Sequence, residues 1–92
     1  MVWGVNDAKA MKKTKVETYL LDRYDRWVKA MADGFNPEEA ADSIGGADYE
    51  LLRGTPSGVE QYTIRLNNHH RVSFTLDRGN EIVNVIQIGG HP

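Results

Sequence analysis

The chain has 92 residues, 40% of them apolar and 26% charged, and contains no cysteine. That is enough for one modest core, and it excludes a disulfide framework, a thiolate metal site and a cysteine nucleophile. The net charge is −2 and the sequence pI is about 5.9, more acidic than a dedicated nucleic-acid binder usually is.

No apolar run approaches the roughly 20 residues of a membrane-spanning helix. Met1 to Asp7 lacks the basic and apolar regions of a secretory leader. With the absence of cysteine, this sets the expectation of a cytoplasmic protein, with residues 1–92 forming one domain.

Val2, Trp3 and Val5 give the first six residues the composition of a short strand, and Asn6 or Asp7 is a candidate N-cap. From Asp7 to Asp33 there is no Gly or Pro. Val16, Tyr19, Leu20, Trp27, Val28 and Met31, with Arg23 and Tyr24 between, recur at helical spacing and predict one buried face. One long helix, or two broken near Thr14, fits this pattern. Gly34 follows as a helix-ending residue. Asn36-Pro37-Glu38-Glu39 then opens a second helix: a cap, a proline in the first turn, and acids at the positive end of the dipole. Gly45-Gly46 should end it.

Beyond this point the period becomes two. Tyr62, Ile64 and Leu66 alternate with Thr63 and Arg65, and Val72, Phe74 and Leu76 with Ser73 and Thr75. Asn67-Asn68 makes the turn between these strands, and Asp77-Arg78-Gly79-Asn80 the next. Ile82 to Ile88, apolar on both faces apart from Asn84 and Gln87, reads as a central strand. Gly54-Thr55-Pro56-Ser57-Gly58 separates Tyr49–Arg53 from the strand after it. The order is β-α-α-β-β-β. It predicts an α+β fold of two layers, with both N-terminal helices packed on one face of a mostly antiparallel sheet of four to five strands. Trp27, Leu20, Ile64, Phe74 and Ile86 should share the core.

Alternation places Arg65 and Arg71 on the face away from the helices, near one another across the hairpin. Two guanidiniums so placed repel unless an anion lies between them. A phosphate suits such planar donors; surface pairs with Glu50, Glu60 or Asp77 are the plainer alternative. Glu50 could take a proton from a ribose hydroxyl, or simply pair with Arg65 or Arg71. His91 follows a buried strand and Gly89-Gly90; it is either a terminal side chain in solvent or a proton donor to a leaving oxygen. His69 and His70 are neighbours in the turn and point apart if extended, so they are poor joint ligands of one metal. His69 reads as a solvent-facing turn residue, whereas His70 could help position RNA. No phosphate-binding glycine loop, Gly-x-Ser-x-Gly elbow or His-Glu-x-x-His motif is present.

Taken together, Glu50-Leu51-Leu52-Arg53, Ser57-Gly58, Thr63-Ile64-Arg65-Leu66, His70-Arg71-Val72 and a last apolar strand ending in His91 resemble the RelE/ParE toxin superfamily, nearest the YoeB, Txe and HigB group. About half the chain carries these specific matches; the N-terminal half agrees in layout. The resemblance implies a toxin of a type II toxin–antitoxin system that cleaves messenger RNA, mostly on the ribosome, and is neutralised by a cognate antitoxin. It implies Glu50 as general base, His91 as general acid, and Arg65 and Arg71 on the scissile phosphate, with no metal or other cofactor. Arg53, His70, Lys12 and Lys13 are the expected RNA contacts. The chain differs from the YoeB type in its acidic balance and in Pro92, where that group has an aromatic residue. A ParE-like inhibitor of DNA gyrase, or a toxin-like binding module without catalysis, is the alternative implied.

Overall fold

The structure, a computed structural model, describes residues 2–8, 10, 16–52 and 60–90. Its elements in chain order are β1 (Gly4–Asn6), α1 (Thr18–Ala32), α2 (Pro37–Ile44), β2 (Glu50–Leu51), β3 (Gln61–Arg65), β4 (Arg71–Asp77) and β5 (Ile82–Ile88). The strands form one sheet in the order β1-β5-β4-β3-β2. All neighbours are antiparallel except β1 and β5, which run parallel. The expected α+β architecture is therefore present, with five strands and both helices packed on the sheet. The last strand is an interior one, flanked by β1 and β4.

Helix α1 begins later than its composition suggests. Asp7 and Ala8 are not helical; Asn6 instead accepts a hydrogen bond from the Ala8 N–H in a local turn. The helix starts after Glu17, with no side-chain cap. Lys12, Lys13 and Thr14, the last being the expected place of a break, lie outside the described residues. The C-terminal end is well defined. The N–H of Gly34 donates to Met31 O and that of Phe35 to Ala30 O, while Gly34 takes φ +111°. These are the two bonds of a Schellman motif, and glycine supplies the left-handed residue without a Cβ clash.

Helix α2 is opened by a complete capping box. The Asn36 side chain accepts from the Glu39 N–H at 2.8 Å, and the Glu39 carboxylate accepts from the Asn36 N–H at 3.0 Å. Pro37 follows the cap, where its missing N–H costs nothing.

Leu20, Tyr24, Trp27 and Met31, four or three residues apart, are the buried stripe of α1. They join Ala40 and Ala41 of α2 and the inward side chains Ile64, Val72, Phe74, Val83, Val85 and Ile88 in one cluster. Trp27 and Phe74 are fully buried, with ring centroids 4.9 Å apart. The buried Trp27 indole N–H donates to Pro37 O at 3.0 Å, joining the helices through the core.

Two core expectations are corrected. Tyr19 is 55% exposed; the stripe runs through Leu20 and Tyr24, and Tyr19 falls beside it. Ile86 is 38% exposed. Val83 and Val85 face the core, and β5 is bulged just beyond them: Ser73 pairs with Gln87, but Phe74 pairs with Val85, so Ile86 is the extra residue. Strict alternation would put Ile86 opposite to Val85; the bulge then lets Ile88 return to the core face with Val83 and Val85. The remaining core residues, Leu20, Trp27, Ile64 and Phe74, are where expected.

Candidate functional site

The face of the sheet away from the helices carries the candidate chemistry. Arg65, at the end of β3, is directly opposite Arg71, at the start of β4. Glu50 on β2 is opposite Thr63, which is in turn opposite Ser73. Period-two alternation puts all of these on one face. The hairpin joining the arginines is held by Asn67, whose side-chain oxygen accepts from the N–H groups of His69 and His70, each at 2.8 Å.

An anion does sit between the guanidiniums, and it belongs to the protein. Asp48 Oδ2 accepts from Arg71 Nη2 at 2.9 Å and from Arg65 Nη2 at 3.2 Å. Glu50 Oε2 lies 3.5 Å from Arg71 Nη1. The alternative pairings with Glu60 and Asp77 do not occur. Glu60 binds Arg78, at 2.6 Å from Nε and 3.1 Å from Nη2. Asp77 closes its own turn by accepting from the Asn80 N–H and side-chain amide.

Arg71 is the more firmly held of the pair. Its side chain is 15% exposed against 42% for Arg65. Besides Asp48 and Glu50, its Nη1 donates to Thr63 Oγ1 at 3.1 Å. Thr63 is buried on this face, so Arg71 also satisfies a polar group that would otherwise be costly to bury.

Asp48 is held by its turn. Gly45, Gly46 and Asp48 all have positive φ, at 72°, 63° and 48°. Aspartate is one of the few non-glycine residues that accept this conformation readily. Ala47 between them is buried, and its carbonyl accepts from the Arg65 N–H. Arg23 of α1 ties the same turn down. Its Nη1 donates to Ile44 O at 3.1 Å and its Nη2 to Gly45 O at 2.8 Å, with a longer 3.4 Å approach to Arg65 O. The Asp48 carboxyl is held below its ordinary acidity range, first by the Arg71 hydrogen bond and then by the nearby guanidinium charges, which outweigh partial desolvation.

His70 has a structural bond: its Nδ1 accepts from the Gly90 N–H at 2.9 Å. The Gly90 carbonyl accepts from the Arg71 N–H, and the Gly89 N–H donates to Arg71 O. The backbone leading to His91 is thus fixed beside Arg71. His91 itself, with Arg53, Lys12 and Lys13, lies outside the described residues. Among the described residues no group of three or more His, Asp or Glu side chains is placed to hold a metal ion, and no helix is long and apolar enough to cross a membrane.

Sequence reasoning missed Asp48 and Arg23. Asp48 was findable by parity: two residues before Glu50, it shares that residue's face if the segment is extended. Arg23 carried no such signal, because its partners are backbone carbonyls distant in sequence.

Neither a family model nor a curated protein matches the chain. Among solved structures, a YoeB dimer from Staphylococcus aureus is similar over 100% of this chain and 100% of that one, with 16% sequence identity and a TM-score of 0.47. A likeness at that identity and TM-score assigns neither family nor activity.

Proposed function

We propose that the protein is the toxin of a type II toxin–antitoxin system and acts as an endoribonuclease on messenger RNA engaged with the ribosome. The sequence resemblance to RelE/ParE toxins suggests the class. The observation that supports the chemistry is the convergence of Arg65 and Arg71 on a single carboxylate oxygen, with Glu50 beside them on the same face. Two guanidiniums that share one oxygen of a carboxylate can share one oxygen of a phosphodiester.

In this reading Glu50 accepts the proton of a ribose 2′-hydroxyl. The 2′-oxygen attacks the adjacent phosphorus and the bond to the 5′-oxygen breaks. His91 donates a proton to that leaving oxygen, giving a 2′,3′-cyclic phosphate and a 5′-hydroxyl end. Arg65 and Arg71 stabilise the charge that grows on the phosphoryl oxygens. A cognate antitoxin neutralises the protein in the cytoplasm by covering the arginines or displacing the terminal segment. The adjacent gene's product should therefore co-purify with the chain and suppress cleavage.

Induced expression should arrest growth and leave new 5′-hydroxyl ends within coding regions. Arg71→Ala should lower cleavage by about 100–1,000-fold, the usual cost of removing one such charge-stabilising donor. Circular dichroism should show the variant folded. Full toxicity of Arg71→Ala combined with His91→Ala would end this mechanism.

One observation favours a second reading, a binding module of the same layout without catalysis: Asp48 and Glu50 already neutralise both arginines. Retention of a tight partner complex, with no cleavage of messenger RNA on the ribosome by the protein freed of that partner, would select it. Intact transcripts with inhibited gyrase would move the assignment to the ParE branch.

A further inference from the structure

The arginine pair is occupied, and the charge of its surroundings follows from that. Two guanidiniums, Arg65 and Arg71, face two carboxylates, Asp48 and Glu50. The charges of these four side chains sum to zero, so the arginine pair has little attraction for a polyanion as it stands. Yet Arg71 is held by Thr63 Oγ1 independently of Asp48, so the loss of the carboxylate would leave it in place. Arg65 is anchored through its backbone, by the Ala47 carbonyl and the Arg23 guanidinium.

Asp48 can be displaced without disturbing the turn. Its side chain is 40% exposed. The turn itself is held by neighbours: Ala47 through its carbonyl, and Ile44 and Gly45 through Arg23. Rotation of one partly exposed side chain would therefore free Nη2 of both guanidiniums while the backbone stays fixed.

We propose that Asp48 is a built-in competitor for phosphate at the arginine pair, so that a nucleic-acid phosphodiester binds by exchanging for the Asp48 carboxylate. The inference rests on Arg65 and Arg71 being a phosphate site. It adds that the site is held neutral by the chain itself and that its affinity is set by an exchange of one anion for another. No protonation is needed for the exchange, since the phosphodiester arrives with its own charge.

The test compares native protein with Asp48→Asn, which keeps the shape and the tolerance of positive φ but removes the charge. The probe is a short fluorescein-labelled 2′-O-methyl RNA, which binds but cannot undergo 2′-oxygen attack. At low salt Asp48→Asn should bind about tenfold tighter than the native protein, as removal of one adjacent like charge suggests. Adding Arg71→Ala should abolish the gain. Asp48→Gly, suited to the left-handed backbone, is the second variant should asparagine disturb the turn. Unchanged or weaker binding by the folded variants, while native protein cleaves messenger RNA on the ribosome, would overturn the inference and leave the nuclease reading standing. Tighter binding by a protein that cleaves nothing would do the reverse. If no form binds the probe, the exchange inference fails, and cleavage of messenger RNA on the ribosome decides the nuclease reading separately. Loss of the fold in both variants would also overturn it, by making Asp48 a structural partner that cannot leave.

Discussion

Arg65 and Arg71 face one another by strand register, and the repulsion this creates is relieved inside the molecule by Asp48. An arginine pair on adjacent strands is thus no proof of an external ligand. What makes this pair a candidate phosphate site is the geometry around it: one shared oxygen, a buried threonine steadying Arg71, and a glutamate on the next strand. At the same scale, Phe74 is fully buried against Trp27, Tyr49 and Tyr62. Phe74→Ala should cost roughly 3–5 kcal/mol, the range for large aromatic truncations in cores. Chemical denaturation should show this as a lower midpoint with an unchanged slope.

The elements differ in how strongly local chemistry defines them. Helix α2 is short, at eight residues, and depends on its capping box and on packing through Ala40 and Ala41. Asn36→Ala removes the bond to the Glu39 N–H and the cap's fit to its backbone. The loss should be about 1 kcal/mol, read as a lower thermal midpoint. The effect should extend to the site, because the turn after α2 carries Asp48. Strand β5 shows the opposite behaviour. Its composition marks it as an interior strand, but which of its residues faces the core is decided by the bulge against β4.

For the whole molecule, several carboxylates titrate low because of the fold. Asp48 is lowered chiefly by the Arg71 hydrogen bond, Glu60 by that of Arg78, and Asp77 by that of Asn80. A carboxyl held below its unfolded value stabilises the fold above that value, and the contribution is lost as pH falls through the folded one. The ordinary values are 3.8 for Asp and 4.5 for Glu. Stability should therefore fall as the pH drops below these values. All three groups lie at the surface, so the effect should weaken in high salt. Thermal melts in a pH series at two salt concentrations will check this, and Glu60→Gln should make the acid limb shallower. A midpoint that is flat through this range would contradict the assignment.

By itself, the sequence determined the features that depend on local chemistry. The Asn36 capping box, the Gly34 helix end, the Asn67 and Asp77 turns and the alternation of Ile64 against Arg65 are each set by neighbouring residues, and each is present. The α+β layering follows from those patterns. Tertiary structure decided what depends on register and on distant partners. The bulge at Ile86 returned Ile88 to the face of Val83 and Val85, which no periodicity could signal, because one extra residue inverts every later side chain. The parallel pairing of β1 with β5 joins the two ends of the described chain, and the anchoring of Gly90 by His70 spans 20 residues. Above all, the identity of the anion between the arginines was a tertiary decision. Glu50, Glu60, Asp77 and a phosphate were all chemically suitable. Asp48 alone is carried to both guanidiniums, by a turn with a left-handed backbone that ends α2 and is tied to α1 through Arg23.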